Sequence, residues 1–114
     1  MTLNITEENG IQTVEFTDVN RFTLAIIEDA KNQLRPLLLQ KGCKMLFDLH
    51  NINFIDSSGI GCIISLFKTA NISGSTLKLC NLTPDVLDII KLLHLQVIFD
   101  ITGTRESCMN EFSK

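Results

Sequence analysis

The segment KMLFDL, residues 44–49, contains an unbroken apolar run with no polar alternation. A strand with only one face in the core alternates apolar and polar side chains, so this run indicates a central strand that is covered on both faces. Such strands occur mainly in parallel sheets, whose faces are covered by the helices that connect the strands. The segment therefore favours an α/β domain, and helical segments are expected on both sides of it.

Four stretches of the chain carry a helical pattern. In residues 23–40, apolar side chains recur at three- and four-residue steps from Leu24 onwards. A second pattern covers residues 57 or 58 to about 70. TPDVLDIIKLLHL, residues 83–95, begins with the Thr-Pro-Asp combination that favours a helix start, and TRESCMNEF, residues 104–112, predicts a closing helix.

Three other stretches predict strands. LNITEENGIQTVEF, residues 3–16, predicts two strands around an Asn-Gly turn, and TLKLC, residues 76–80, and QVIFDI, residues 96–101, predict one strand each. With the first segment, the order is β-β-α-β-α-β-α-β-α. This order predicts a mixed, largely parallel sheet of four to five strands with about four helices. No linker or repeat interrupts the sequence, so residues 1–114 are expected to form a single domain.

Composition excludes several classes of function. The net charge is −3, no Lys/Arg cluster is present, and the chain has neither Trp nor Tyr, which disfavours nucleic-acid binding. No apolar stretch approaches the roughly 20 residues of a membrane span, and the first residues do not resemble a signal peptide, so the cytoplasm is the expected location.

The four cysteines predict no metal site and no cofactor. No Cys-x-x-Cys motif and no pair of histidines at ligand spacing occurs in the sequence, which argues against zinc. Each cysteine lies beside aliphatic residues, and we expect all of them to be buried thiols in a reducing compartment. They are Cys43, Cys62, Cys80 and Cys108.

The most distinctive motif is NFIDSSGIG, residues 53–61, where a polar turn leads into the second predicted helix. The first N–H groups of a helix lack internal partners and carry the positive end of its dipole, so Asp56 or a serine is expected to cap them. Gly59 and Gly61 each cost about 1 kcal/mol relative to Ala in a helix. Their presence indicates that another backbone or a bulky charged group comes close.

Four interpretations of this motif compete. It can be simply a capped turn after a strand. A serine hydrolase would use His50 or His94, but the G-x-S-x-G elbow is absent. A phosphate-binding loop would need a Lys soon after Gly61, and none follows. The fourth is a phosphorylation switch, because a phosphoryl group on Ser57 would add about −1.5 to −2 charges at a helix start that tolerates an anion.

NINFIDSSGIG, preceded by KMLFDL, resembles the STAS family, the anti-sigma-factor antagonist domains of bacteria. The later segment NLTPDVLDIIKLLHLQVIFDI resembles the third helix and last strand of that family, including the Thr-Pro helix start. Length and element order also agree, and the resemblance covers essentially the whole chain.

The resemblance implies a function and a site. It implies that Ser57 is phosphorylated by a cognate anti-sigma factor of the GHKL-type serine kinase class, with Ser58 as the second candidate. The unphosphorylated protein would bind the anti-sigma factor, the phosphorylated one would be released, and a PP2C-type phosphatase would restore it. The nucleotide belongs to the kinase. The implied partner surface is the exposed side of the following helix with Asp56, Ser57, Ser58, Gly59, Ile60 and Gly61.

One position departs from the family pattern. Thr23 stands where many members carry an Asp before the first helix, and this difference bears on the choice of partner. The first hypothesis is a non-enzymatic regulator that switches partners. The second is a scaffold, such as the soluble STAS subunit of a lipid-transport ABC system or of a stressosome-like assembly, with Ser57 and Ser58 as contact or capping residues. An enzyme with Ser57 as nucleophile is the third, and the oligomeric state stays open.

Overall fold

The computed structural model describes residues 3–112 of the chain. Within them, the chain forms seven strands and four α-helices. The strands are β1 (Leu3–Glu8), β2 (Ile11–Phe16), β3 (Arg21–Phe22), β4 (Lys44–Asp48), β5 (Phe54–Ile55), β6 (Thr76–Cys80) and β7 (Ile101–Thr102). The helices are α1 (Leu24–Leu38), α2 (Ser57–Ser73), α3 (Pro84–Leu92) and α4 (Arg105–Phe112).

The main sheet has the strand order β1-β2-β4-β6-β7. β1 pairs with β2 in antiparallel orientation, and the other neighbours are parallel. Asn9 and Gly10 both have positive φ, 55° and 79°, as the tight turn between β1 and β2 requires. These observations confirm the predicted α/β class, the hairpin and the mixed, largely parallel sheet.

β4 is the central strand and is covered on both faces, as the apolar run predicted. Met45 and Phe47 point into a large core formed with α1, α2 and α3, whereas Leu46 joins a smaller cluster with residues of α4. Because successive side chains of a strand point to opposite faces, α4 lies on the face of the sheet opposite the other three helices. The predicted closing helix is therefore confirmed, and it covers the second face of the sheet.

The starts of α2 and α3 also agree with the sequence-based expectations. α2 begins at Ser57 with Asp56 as N-cap, and it ends at Gly74, whose φ of 74° is left-handed. α3 has Thr83 as N-cap and Pro84 in its first turn. The Thr83 hydroxyl does not cap the helix, because it donates a hydrogen bond of 2.7 Å to the carbonyl oxygen of Ile52.

The strand predicted over residues 96–101 is wrong. The chain turns at His94, which has a left-handed φ of 59°, and then forms a 3₁₀ turn, Leu95–Val97. Only β7, Ile101–Thr102, pairs with the sheet. Of the apolar residues in this stretch, Phe99 is buried in the core. Its ring stacks on that of Phe67, with 5.1 Å between the two ring centres.

The two-residue strands β3 and β5 were not anticipated from the sequence. They pair in parallel, with Arg21 opposite Phe54 and Phe22 opposite Ile55. β3 leads into α1 and β5 leads into α2, so the N-termini of these two helices lie at the same end of the domain.

The cysteines are free thiols, and the expectation that they are buried holds for Cys62, Cys80 and Cys108, whereas Cys43 is half-buried. Within residues 3–112, none of the helices has the length and apolar character that crossing a membrane requires.

Candidate functional site

The site is the first turn of α2. The Asp56 carboxylate accepts a hydrogen bond of 2.9 Å from the backbone N–H of Gly59, and the Asp56 carbonyl oxygen accepts one of 3.0 Å from the N–H of Ile60. Asp56 therefore satisfies one of the N–H groups that a helix start leaves without an internal partner. The expectation of a capped helix start in this motif is confirmed, and Asp56 is the residue that caps it.

The two serines occupy the first two positions of this helix. Ser57 is exposed, and Ser58 is half-buried. A group attached to the Ser57 oxygen would therefore project into solvent beside the positive end of the helix dipole. Of the two hydroxyls, that of Ser57 is the one more accessible to a modifying enzyme.

The two glycines of the motif have different surroundings. A Cβ at Gly59 would lie 2.4 Å from the carbonyl oxygen of Phe22 and 2.6 Å from Cγ1 of Ile55, whereas a Cβ at Gly61 would meet nothing within 4 Å. Gly59 thus lets the chain's own backbone approach the helix. Gly61 is exposed and leaves open space above the helix surface.

The residues predicted to bind a partner differ in how far they are exposed to solvent. Ser57 and Gly61 are exposed, Asp56 and Ser58 are half-buried, and Gly59 and Ile60 are buried in the core. In this conformation, a partner can reach the exposed and half-buried residues of this set. Gly59 and Ile60 instead pack the helix against the core.

Strand β3 holds the start of α2 in place. The N–H of Asp56 donates to the carbonyl oxygen of Phe22 at 3.3 Å, and the Arg21 guanidinium lies 4.1 Å from the centre of the Phe54 ring. Such a cation–π contact adds about 0.5–1 kcal/mol at an exposed site. Sequence reasoning missed this support, because a two-residue strand leaves no periodic signal.

The start of α1 contributes an exposed apolar side chain at the same end of the domain. Thr23 is the N-cap residue of α1 but makes no side-chain capping bond. Leu24, which follows it, is 72 % exposed, although it begins the apolar pattern that predicted this helix.

Neither histidine supports a nucleophilic serine. His50 Nδ1 lies 2.8 Å from the Asp48 carboxylate, and His94 is exposed at the end of α3. Within residues 3–112, no hydrogen bond joins either imidazole to Ser57 or Ser58. Among the described residues, neither imidazole therefore makes the hydrogen bond by which a histidine activates a serine.

A second polar cluster lies where β2 and β4 end, and sequence reasoning did not find it. Ligand atoms of Glu15, Asp48 and His50 lie within 4.8 Å of one another, a spacing that could hold a metal ion. Arg105, however, lies 3.6 Å from the carboxylates of both Glu15 and Asp48 and supplies the compensating positive charge. The cluster is best explained as an ion-pair network that anchors the first turn of α4 to the sheet.

The fold and the site together define an α/β domain that presents an accessible serine at the start of a capped helix. The STAS domain family model matches residues 3–108, so the chain belongs to the STAS domain family. The resemblance inferred from the sequence is confirmed.

The relatives within this family are regulators of sigma-factor pathways by name. The chain is 26% identical over 99 residues to the anti-sigma-B factor antagonist of Bacillus subtilis (strain 168), covering 87% of each chain. It is 31% identical over 72 residues to the anti-sigma F factor antagonist of Paenibacillus polymyxa, covering 60% of this chain and 62% of that one. The structure of an anti-sigma-factor antagonist (STAS) domain protein from Planctomyces limnophilus shares the fold, with a TM-score of 0.89, 16% identity and coverage of 98% of both chains.

Proposed function

We propose that this protein is an anti-sigma-factor antagonist controlled by phosphorylation of Ser57. In its unphosphorylated form it binds an anti-sigma factor that is also a serine kinase, and this binding frees a sigma factor. Phosphorylation of Ser57 by that kinase ends the complex, and a PP2C-type phosphatase restores the binding form. The chain itself acts as binding partner and substrate, not as a catalyst.

The position of Ser57 is the observation that carries this proposal. Ser57 is exposed and is the first residue of a 17-residue helix that Asp56 already caps. A phosphoryl group there brings about −1.5 to −2 charges to the positive end of the helix dipole, where an anion is favoured. The domain can therefore carry the modification without unfolding.

The same charge opposes a partner that docks on α2. Ser57 and Gly61 lie one turn apart on the solvent side of the helix, and Gly61 has no side chain to keep a partner at a distance. A phosphate with its hydration shell at Ser57 would have to be desolvated in such a contact, and Asp56 beside it adds repulsion between like charges. Phosphorylation would thus change the surface while the fold stays the same.

The first experiment locates the modification. The full chain is incubated with a cognate kinase-type anti-sigma factor and ATP, and the phosphate is mapped by mass spectrometry. We expect phosphate on Ser57, loss of the signal in Ser57→Ala and its retention in Ser58→Ala. A kinase that phosphorylates another protein substrate but leaves Ser57 unmodified would refute the proposal.

The second experiment measures binding to the same anti-sigma factor. Ser57→Asp introduces a negative charge and should weaken the complex at least 10-fold, whereas Ser57→Ala should bind like the unmodified protein and resist release by ATP. Ser58→Asp is the comparison within the same turn: it places the same charge on the half-buried serine and should weaken the complex less than Ser57→Asp does. Undiminished binding of both Ser57 variants would favour a scaffold role, in which Ser57 and Ser58 serve only as contact or capping residues.

A further inference from the structure

Two buried cysteines face each other between the sheet and α4. Cys80 is the last residue of β6, and Cys108 lies in the middle of α4. Both side chains are fully buried in the small apolar cluster beneath α4, and a side-chain hydrogen bond joins the two sulfur atoms. The site considered above does not use either thiol.

The surroundings of the pair distinguish the two sulfurs. The hydrogen bond from Cys80 lowers the pKa of the Cys108 thiol, and a hydrogen bond from Thr102 and the positive charge of Lys78 act in the same direction, against burial and Asp100. For Cys80, the hydrogen bond to Cys108 and burial raise the pKa, as does Asp48, while Arg105 opposes them. The lowered pKa of Cys108 favours it as the attacking thiolate.

We propose that Cys80 and Cys108 form a reversible disulfide when the protein meets a peroxide, and that this bond fastens α4 to the sheet. The pair connects β6 to α4, which otherwise meet through a small apolar cluster and through the Lys78 ammonium, 5.5 Å from the centre of the Phe112 ring. Disulfides inside reducing compartments are usually transient and redox-sensing, and a pair of thiols already in contact fits that role.

The reaction balances with hydrogen peroxide as the oxidant. The Cys108 thiolate attacks one peroxide oxygen, the O–O bond breaks, and hydroxide leaves to give a sulfenic acid on Cys108. The Cys80 sulfur then attacks the Cys108 sulfur, the S–O bond breaks, and the S–S bond forms. The proton of Cys80 leaves with the expelled hydroxide as water, and the proton that Cys108 released on forming its thiolate joins the hydroxide of the first step, so that two thiols and one peroxide yield one disulfide and two waters.

Access to the buried pair requires α4 to open locally. This helix has eight residues, and its buried side chains are Cys108 and Phe112. Short elements with few buried side chains open far more often than the whole domain unfolds. Once formed, the disulfide would prevent this local opening of α4. Since α4 lies on the face opposite α1 and α2, the proposal does not depend on the role of Ser57.

The test uses the full-length chain treated with hydrogen peroxide, followed by blocking of free thiols and mass spectrometry. We expect an intact mass about 2 Da lower before the free thiols are blocked, a peptide that links Cys80 to Cys108, and full reversal by dithiothreitol. The disulfide closes a loop of nearly 30 residues, so thermal unfolding should shift upward by on the order of 10 °C. Oxidation confined to the half-buried Cys43, or random pairing among the cysteines, would overturn the proposal.

Variants make the assignment specific. Cys80→Ser and Cys108→Ser should each abolish the mass loss and the thermal shift, whereas Cys43→Ser should keep both. If a serine in the apolar cluster prevents folding, the linkage map of the unmodified chain and of Cys43→Ser still decides the question. Absence of the linked peptide from these two proteins after complete peroxide treatment would refute the proposed bond.

Discussion

Gly59 lies directly against the carbonyl oxygen of Phe22. A Cβ at Gly59 would fall 2.4 Å from that oxygen, so only glycine allows β3 and α2 to meet in this way. The contact lies two residues after the exposed Ser57, on the buried side of the helix, and fixes the direction in which α2 begins. The glycine that follows the two serines therefore serves internal packing, and the orientation of the candidate site depends on it.

This contact predicts opposite effects for alanine at the two glycines of the motif. Gly59→Ala should lower the free energy of unfolding by about 1–3 kcal/mol, because the methyl group displaces the backbone of β3 or the side chain of Ile55. Gly61→Ala should raise it by up to about 1 kcal/mol, because alanine favours the helix and the site is open. Urea denaturation of both variants measures the difference, and equal stabilities would contradict the packing argument.

Gly61→Ala also separates stability from partner binding. If a partner packs closely on the first turns of α2, the added methyl should reduce affinity for the kinase-type anti-sigma factor about 10-fold, although the variant itself is more stable. Calorimetric titration measures the affinity. Asn110→Ala, a substitution at an exposed position of α4 on the opposite face of the sheet, serves as the comparison for a change outside the proposed binding surface. Unchanged affinity of Gly61→Ala would place the partner elsewhere.

The cap of α2 gives a third prediction. Asp56→Ala removes the hydrogen bond to the N–H of Gly59 and should cost about 1 kcal/mol of unfolding free energy, whereas Asp56→Asn keeps an acceptor and should cost less. Because Asp56 precedes Ser57, the Asn variant also tests whether its charge matters to the kinase. Comparing stability and phosphorylation rate in the two variants separates the capping role from the electrostatic one.

Much of the fold could be predicted because its signals are local. The buried run in β4, the Asn9-Gly10 turn and the helix start after Asp56 each depend on a few consecutive residues. The prediction of a strand over residues 96–101 was wrong because the conformation of this stretch depends on long-range packing. An apolar run suits a strand, but here Val97 and Ile98 are 81 % and 60 % exposed while Phe99 enters the core, and only long-range packing decides between these arrangements.

The candidate site shows the same division between local and long-range information. The sequence indicated that a glycine after the serines admits a close neighbour, and the structure shows that the neighbour of Gly59 is the chain's own Phe22. A two-residue strand such as β3 has no recognisable pattern, so its pairing with β5 could not be foreseen. The ion pairs of Arg105 likewise join residues distant in sequence.

Alkaline pH should destabilise the protein through Cys62. Burial raises the pKa of this thiol to about 11, Glu28 acts in the same direction and Lys31 opposes them. The unfolded chain loses the proton near pH 8.5, so this contribution to stability is complete below that pH and is lost as pH rises to about 11, a total of about 3 kcal/mol. Cys62→Ala should show a smaller fall in unfolding free energy between pH 8.5 and 11, measured by urea denaturation. An unchanged pH dependence would contradict this origin.

The Arg105 network predicts that Asp48 matters more to stability than the other carboxylates around it. The Asp48 side chain is 3 % exposed and accepts hydrogen bonds from the backbone N–H of His50 at 2.9 Å and from Asn81 at 3.1 Å, with Arg105 at 3.6 Å. Asp48→Ala leaves these donors without an acceptor and should cost about 2–4 kcal/mol of unfolding free energy.

Glu8→Ala is the matched control for Asp48→Ala. Glu8 also lies 3.6 Å from Arg105, but its side chain is 52 % exposed, so its ion pair is screened by water and its loss should cost less than about 1 kcal/mol. Urea denaturation compares the two variants. In 1 M NaCl, any effect of Glu8→Ala should shrink further, while that of Asp48→Ala should persist because the buried donors remain unpaired. Equal costs for both would show that burial does not set the strength of this network.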